Sequence, residues 1–140
     1  MNSPSRPDST APVVARPLLA SRVEAGFPSP ADDYVERTLD LNAEVITHPA
    51  ATFFLRAGGR SMQGAGIHDG DLLVVDRSVH AEDGMVVVAV VDGEFTVKRL
   101  DRRGTTPVLR AEHPGYPPIS IGPDTEVAIW GVVTWVLHRP

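Results

Sequence analysis

The chain has 140 residues, a formal net charge of −5 and no cysteine. That length allows one domain with a hydrophobic core plus a tail, and the acidic balance argues against a surface built to neutralise phosphates, so direct nucleic-acid binding is not expected. Disulfides, thiolate catalysis and Cys-based metal sites are excluded. The longest apolar run, Met85 to Val91, is too short to cross a bilayer, and Pro4, Pro7, Pro12 and Pro17 break the N-terminus where a signal peptide needs an unbroken apolar segment. A cytoplasmic protein with no membrane association is expected.

Residues 1 to 30 hold six of the thirteen prolines and show no helical or alternating pattern, which predicts an extended, mobile arm. Within it, the small residues of Ala25-Gly26 would let the chain lie flat in a narrow cleft, with Val23 and Phe27 as flanking anchors. An ordinary linker glycine is the plainer alternative. Ser29-Pro30-Ala31-Asp32 has the layout of a helix start and predicts a short helix to about Leu39. A second helical turn is predicted from Asp40 to Ile46, stopped by Pro49. The first strand is Thr52 to Ala57, ended by Gly58-Gly59.

Met62 to Asp71 is too rich in glycine for a long helix and predicts one helical turn and a tight loop. Leu72 to Val75 reads as a buried strand between Asp71 and Asp76, which serve as turn and capping acids. Met85 to Val91 and Glu94 to Leu100 flank Asp92-Gly93, a strong hairpin signal. A turn at Arg102-Arg103-Gly104, a strand from Pro107 to Ala111 and a loop from His113 to Pro118 follow. Glu126 to Leu137, apolar on both alternating faces, predicts a central strand or one covered by a partner. Trp130 and Trp135 fall on its opposite faces, one suited to the core and the other to a covered surface such as a dimer interface. The fold class is mainly β, with short helices and an extended N-terminal arm.

Of thirteen basic residues only Lys98 is a lysine, so a generic surface cation in this chain would be an arginine. The two-residue turn pairs Val91 with Glu94, Ala89 with Thr96 and Val87 with Lys98, which sets Lys98 among apolar neighbours including Met85 and Ala89. Burial without a counter-charge disfavours the ammonium and lowers its pKa toward the range of a general base. Ser61 follows a strand and a glycine turn, a bend that could point its surrounding amides at a developing oxyanion. Together Ser61 and Lys98 make a candidate Ser-Lys dyad. The alternative is a surface lysine on an edge strand. His48, His68, His80, His113 and His138 lie far apart with no ligand spacing, so no metal or cofactor site is expected. Composition leaves open a Ser-His-Asp arrangement through His68 or His80, without positional support.

Three stretches carry a resemblance: Phe27-Pro28-Ser29-Pro30-Ala31-Asp32-Asp33-Tyr34-Val35-Glu36; Gly59-Arg60-Ser61-Met62 with Gly66 to Asp76; and Val91 to Lys98. Over residues 24 to 137 the chain resembles the UmuD group of the LexA-type self-cleaving serine peptidases. The resemblance implies a LexA/signal-peptidase-like β domain over residues 26–140 behind a cleavable arm, 1–25. It also implies Ser61 as nucleophile, Lys98 as general base and Ala25-Gly26 as the bond cut. Cleavage in that family is intramolecular or between partners of a dimer and is stimulated by a RecA filament on single-stranded DNA in the SOS response; the trimmed product joins the catalytic subunit of an error-prone DNA polymerase for translesion synthesis, and a homodimer is expected. A non-catalytic polymerase-docking module and a LexA-like repressor fragment are the competing readings; the proline-broken first thirty residues do not supply a helix-turn-helix.

Overall fold

The structure, a computed structural model, describes residues 10, 12–28, 30–31 and 33–140. The chain forms two compact units, one over His48–Pro140 and the other over the described part of residues 8–47. The smaller unit is built on β1 (Ala15–Leu19) and β2 (Val35–Asp40), paired antiparallel from Ala15↔Asp40 to Leu19↔Val35. A short helix, α1 (Leu41–Val45), follows directly, with the Asp40 side chain accepting the Asn42 N–H at 3.2 Å. This is the helical turn expected over residues 40–46. The helix expected to run to Leu39 is corrected: Val35–Asp40 is a strand, and the Ser29 and Asp32 of its start signal lie outside the described residues. A helix of that length is marginal without tertiary support, whereas β1 offers β2 a complete set of backbone partners.

The larger unit is a seven-stranded antiparallel sheet. Its strands are β3 (Thr52–Arg56), β4 (Leu72–Asp76), β5 (Val86–Val91), β6 (Glu94–Asp101), β7 (Val108–Arg110), β8 (Ile119–Ser120) and β9 (Val127–Leu137), in the order β3-β4-β9-β5-β6-β7-β8. The mainly β expectation therefore holds. Asp92 and Gly93 adopt φ of 50° and 82°, positive at both central positions as a type I′ turn requires, and this fixes the register Val91↔Glu94 through Val87↔Lys98. The register derived from the sequence is the one observed.

The last strand is central, as its apolar faces foretold, and it pairs with β4 on one side and β5 on the other. Register shifts opposite Val74/Val75 and Val88/Ala89 put two bulges in it; each adds local twist and bends the sheet. Two apolar clusters result. One gathers Leu55, Met62, Ile67, Leu73, Val75 and Val88, with Trp130 edge-on to Phe53 and Phe95 at ring separations of 5.4 and 5.2 Å. The other gathers Val87, Ala89, Leu100, Leu109 and Val132. Trp135 is 46% exposed, so of the two tryptophans only Trp130 belongs to the core.

Gly131 lies on β9 beside the end of β4, and a Cβ there would sit 2.6 Å from Val75 Cγ1 and 3.3 Å from Arg77 Cγ. Val75 is fully buried and has nowhere to move. We predict that Gly131→Ala lowers the unfolding free energy by about 1–3 kcal/mol, read as a reduced urea midpoint. An unchanged midpoint would refute this close packing.

Candidate active site

The local geometry of Ser61 begins at the end of β3. Ala57 is tied to the turn before β4 by two backbone bonds, Ala57 N–H to Asp71 O at 2.7 Å and Gly70 N–H to Ala57 O at 2.8 Å. Gly59 then takes a φ of 81°, a conformation that strains residues with a Cβ, and its N–H donates to the Asp69 carboxylate at 2.8 Å. On the far side, Glu112 N–H donates to Ser61 O and Gly64 N–H to Glu112 O, both at 2.7 Å. The serine turn is thus clamped between residues 69–71 and the segment that follows β7. These bonds also link the segment after the edge strand β3 to the segment after β7, which lies near the opposite edge of the sheet.

Lys98 comes from β6, which has neighbours on both sides and is not an edge. Its residue is only 7% exposed. The Nζ atom lies 2.9 Å from Ser61 Oγ, 3.0 Å from Thr96 Oγ1 and 3.1 Å from Val97 O. No carboxylate pairs with it among the described residues. Burial pushes its pKa below the ordinary 10.5, since desolvation penalises the ammonium and no counter-charge offsets the penalty. The next residue, Arg99, donates to the Glu112 side chain at 2.8 Å and to Gly84 O at 2.8 Å. Glu112 therefore holds the serine turn through its backbone and the lysine strand through its carboxylate. A cleft beside Ser61 is lined by Leu55, Ala57, Met62, Ile67, Phe95 and Val97.

Of the residues singled out in the sequence, Ser61 and Lys98 are brought into hydrogen-bond contact. Ala25 and Gly26 are exposed in the smaller unit, on the loop between β1 and β2, whose base is closed by Ala20 N–H to Tyr34 O at 2.8 Å. Their flanking residues Val23 and Phe27 are 97% and 92% exposed. The stretch read as an unpatterned arm thus carries a strand, β1, that its sequence does not signal.

His68 is engaged elsewhere than at Ser61. Its ring lies against His138, and both imidazoles face Asp71. This grouping was missed because the three residues are remote in sequence; only the β4–β9 register, Leu72↔Leu137, sets Asp71 beside His138. Both strand-bracketing acids do act as caps. Burial tends to raise the Asp71 pKa, but the His68 N–H and the His138 ring outweigh it and hold the carboxyl below its ordinary value. Asp76 is lowered in the same way, burial being outweighed by Ser78 and His48.

Residues 17–134 match the Peptidase S24-like family, and the chain belongs to that family, which includes self-cleaving serine peptidases. The chain is 52% identical to Protein ImpA of Salmonella typhimurium over 130 residues, covering 89% of this chain and 84% of that protein. It is 50% identical to Protein MucA of Escherichia coli over 119 residues, covering 84% and 81% respectively. Both are UmuD homologues, so this is a UmuD-like protein with the LexA-like fold. A more distant likeness, 39% over 137 residues, joins 96% of the chain to 64% of LexA repressor 1 of Pseudomonas syringae pv. tomato. No helix among the described residues is long and apolar enough to cross a membrane.

Because the chain has a single lysine, one isotope-labelled lysine side chain reports this site alone by NMR. Its titration midpoint is expected below 10.5; a midpoint at or above 10.5 would contradict the desolvation. The linked effect on stability has a definite sign. The folded state sheds this proton at lower pH than the unfolded chain, so stability rises with pH between the folded midpoint and 10.5.

Proposed function

We propose that the chain cuts its own Ala25-Gly26 bond, with Ser61 as nucleophile and Lys98 as general base. The observation that carries this reading is the 2.9 Å contact between Lys98 Nζ and Ser61 Oγ in a buried setting. A neutral amine has two hydrogens and one lone pair. Donated to Thr96 Oγ1 and Val97 O, the two hydrogens leave the lone pair aimed at the serine hydroxyl.

In the proposed reaction Lys98 takes the Ser61 proton as Oγ attacks the Ala25 carbonyl carbon. The Ser61 and Met62 N–H groups, which donate to no other group among the described residues, are the candidate donors to the resulting oxyanion. The Lys98 ammonium then gives its proton to the departing Gly26 nitrogen as the peptide C–N bond breaks. Water, deprotonated by Lys98, hydrolyses the ester and releases residues 1–25. The small side chains of Ala25 and Gly26 suit a narrow approach to the serine.

The likeness to ImpA and MucA supports a place in SOS mutagenesis. In this reading a RecA filament on single-stranded DNA stimulates the cut, and the product, residues 26–140 as a homodimer, serves the catalytic subunit of an error-prone polymerase in translesion synthesis. The protein acts in the cytoplasm.

Purified protein incubated with RecA, single-stranded DNA and a nucleoside triphosphate, or alone at alkaline pH, is expected to lose residues 1–25 by mass. Ser61→Ala and Lys98→Ala are expected to reduce the rate by about 10⁴-fold or more. Lys98→Arg should be equally inactive, since a guanidinium stays protonated. The rate without RecA should rise with pH and level off once Lys98 is neutral. Cleavage persisting in Ser61→Ala would overturn the assignment.

A second expectation concerns the clamp. A Cβ on Gly64 would meet Glu112 O at 2.6 Å, forcing the serine turn away from its anchor. Gly64→Ala should slow cleavage by about 10²-fold, the cost of a misplacement near 1 Å. An unchanged rate would mean the Glu112 anchor does not position the serine.

A further inference from the structure

The grouping of His68, Asp71 and His138 has no part in the proposed cleavage chemistry. His68 sits in the turn before β4, Asp71 is the residue preceding that strand, and His138 is the residue following β9. Each offers a ligand atom, and these atoms all lie within 4.8 Å of one another. The Asp71 carboxylate is 3% exposed, lies 2.6 Å from His138 Nδ1 and 3.7 Å from His68 Nδ1, and accepts the His68 backbone N–H at 2.8 Å. The imidazoles are half exposed, with ring centres 4.7 Å apart. A buried, oriented carboxylate is thus flanked by two rings open to solvent.

We propose that His68, Asp71 and His138 bind a first-row transition-metal dication, Zn²⁺ in the first instance. Two imidazoles and one carboxylate form a donor set suited to Zn²⁺, Ni²⁺ or Cu²⁺, whereas Mg²⁺ and Ca²⁺ prefer oxygen ligands. With metal–ligand bonds of about 2.0–2.2 Å, tetrahedral ligand atoms stand roughly 3.3 Å apart. The separations of 2.6 Å from His138 Nδ1 to Asp71 Oδ1 and 3.7 Å from His68 Nδ1 to Asp71 Oδ2 bracket that value, and rotation of the two half-exposed rings is what opens the site. The metal takes the place of the hydrogen-bonded proton between His138 Nδ1 and Asp71, and water completes the shell. The His68 N–H on Asp71 is then a built-in outer-shell contact that orients the carboxylate.

The site also borders the serine turn. Asp71 O accepts from Ala57, Gly70 donates to Ala57 and Asp69 accepts from Gly59. A metal here joins the end of β9 to the turn that forms one of the two clamps on Ser61.

The test uses the untagged, full-length Ser61→Ala protein, freed of metal by a chelator and titrated with Zn²⁺ by calorimetry. One Zn²⁺ per chain is expected, with release of protons and affinity that falls as pH falls. Co²⁺ in its place should give the visible absorption of a tetrahedral site. His138→Ala and His68→Ala, both at exposed rings, should each weaken Zn²⁺ binding by at least 10-fold and abolish that absorption, while His113→Ala changes neither. Asp71→Asn should do the same if it folds; the two histidine variants decide the matter if it does not. Mg²⁺ should not compete. Absence of stoichiometric binding, or binding unaffected in the His68→Ala, His138→Ala double variant, would overturn the proposal.

Discussion

Much of the larger unit can be understood from one arrangement: an amine, buried without a carboxylate, resting on a serine hydroxyl. Desolvating a lysine is costly, and proteins ordinarily avoid it by pairing the charge or leaving the head group in water. Here the neighbours are two hydroxyls and one carbonyl. They satisfy hydrogen bonds without supplying negative charge, which leaves desolvation to dominate and favours the neutral amine. An aspartate in place of Thr96 would pair the ammonium and remove that bias.

Such a contact needs its two halves held by separate, stiff supports. Lys98 is fixed by an inner strand whose register is set by a two-residue turn. Ser61 sits on a turn, an inherently softer element, and the surrounding bonds compensate: Asp69 and Asp71 on one side, Glu112 on the other. Glu112 has a double function, because its carboxylate grips Arg99 beside the lysine. Ser61 and Lys98 are therefore joined through one residue as well as by their own contact. Glycine is required at position 59 by a left-handed φ and at position 64 by the nearness of the Glu112 carbonyl.

What was legible in the sequence follows from the range over which each signal acts. Asp92-Gly93 acts over two residues, and it determined a register, a facing pair and the setting of Lys98. The helical turn from Asp40 to Ile46 and the long apolar run of β9 were equally local and equally readable. The strand β2 was not, since Ser29-Pro30 imitates a helix start and the competing partner, β1, lies in a proline-rich stretch with no alternation. β8, two residues long, exists only because β7 offers it an edge. The histidine grouping was beyond reach for a different reason. His68, Asp71 and His138 meet through β4–β9 pairing, a non-local contact that no spacing rule encodes. His48 and Asp76, 2.6 Å apart, are a second instance.

The β1–β2 pair changes how the bond between Ala25 and Gly26 should be viewed. A free arm would separate from the remainder as soon as that bond broke. In this structure the bond lies in the loop of a two-stranded sheet, and the register from Ala15↔Asp40 to Leu19↔Val35 spans it. A cut at 25–26 severs the covalent link and none of those backbone pairs. In the proposed cleavage, scission and departure are then two steps with different physical origins, one assigned to Ser61 and Lys98, the other set by a short isolated strand pair that is marginal by itself in water. Loss of the loop's covalent closure turns the pairing of β1 with β2 from an intramolecular association into a bimolecular one, and dilution then favours release. The hairpin can thus present the bond in a defined conformation before the cut without holding the fragment long after it.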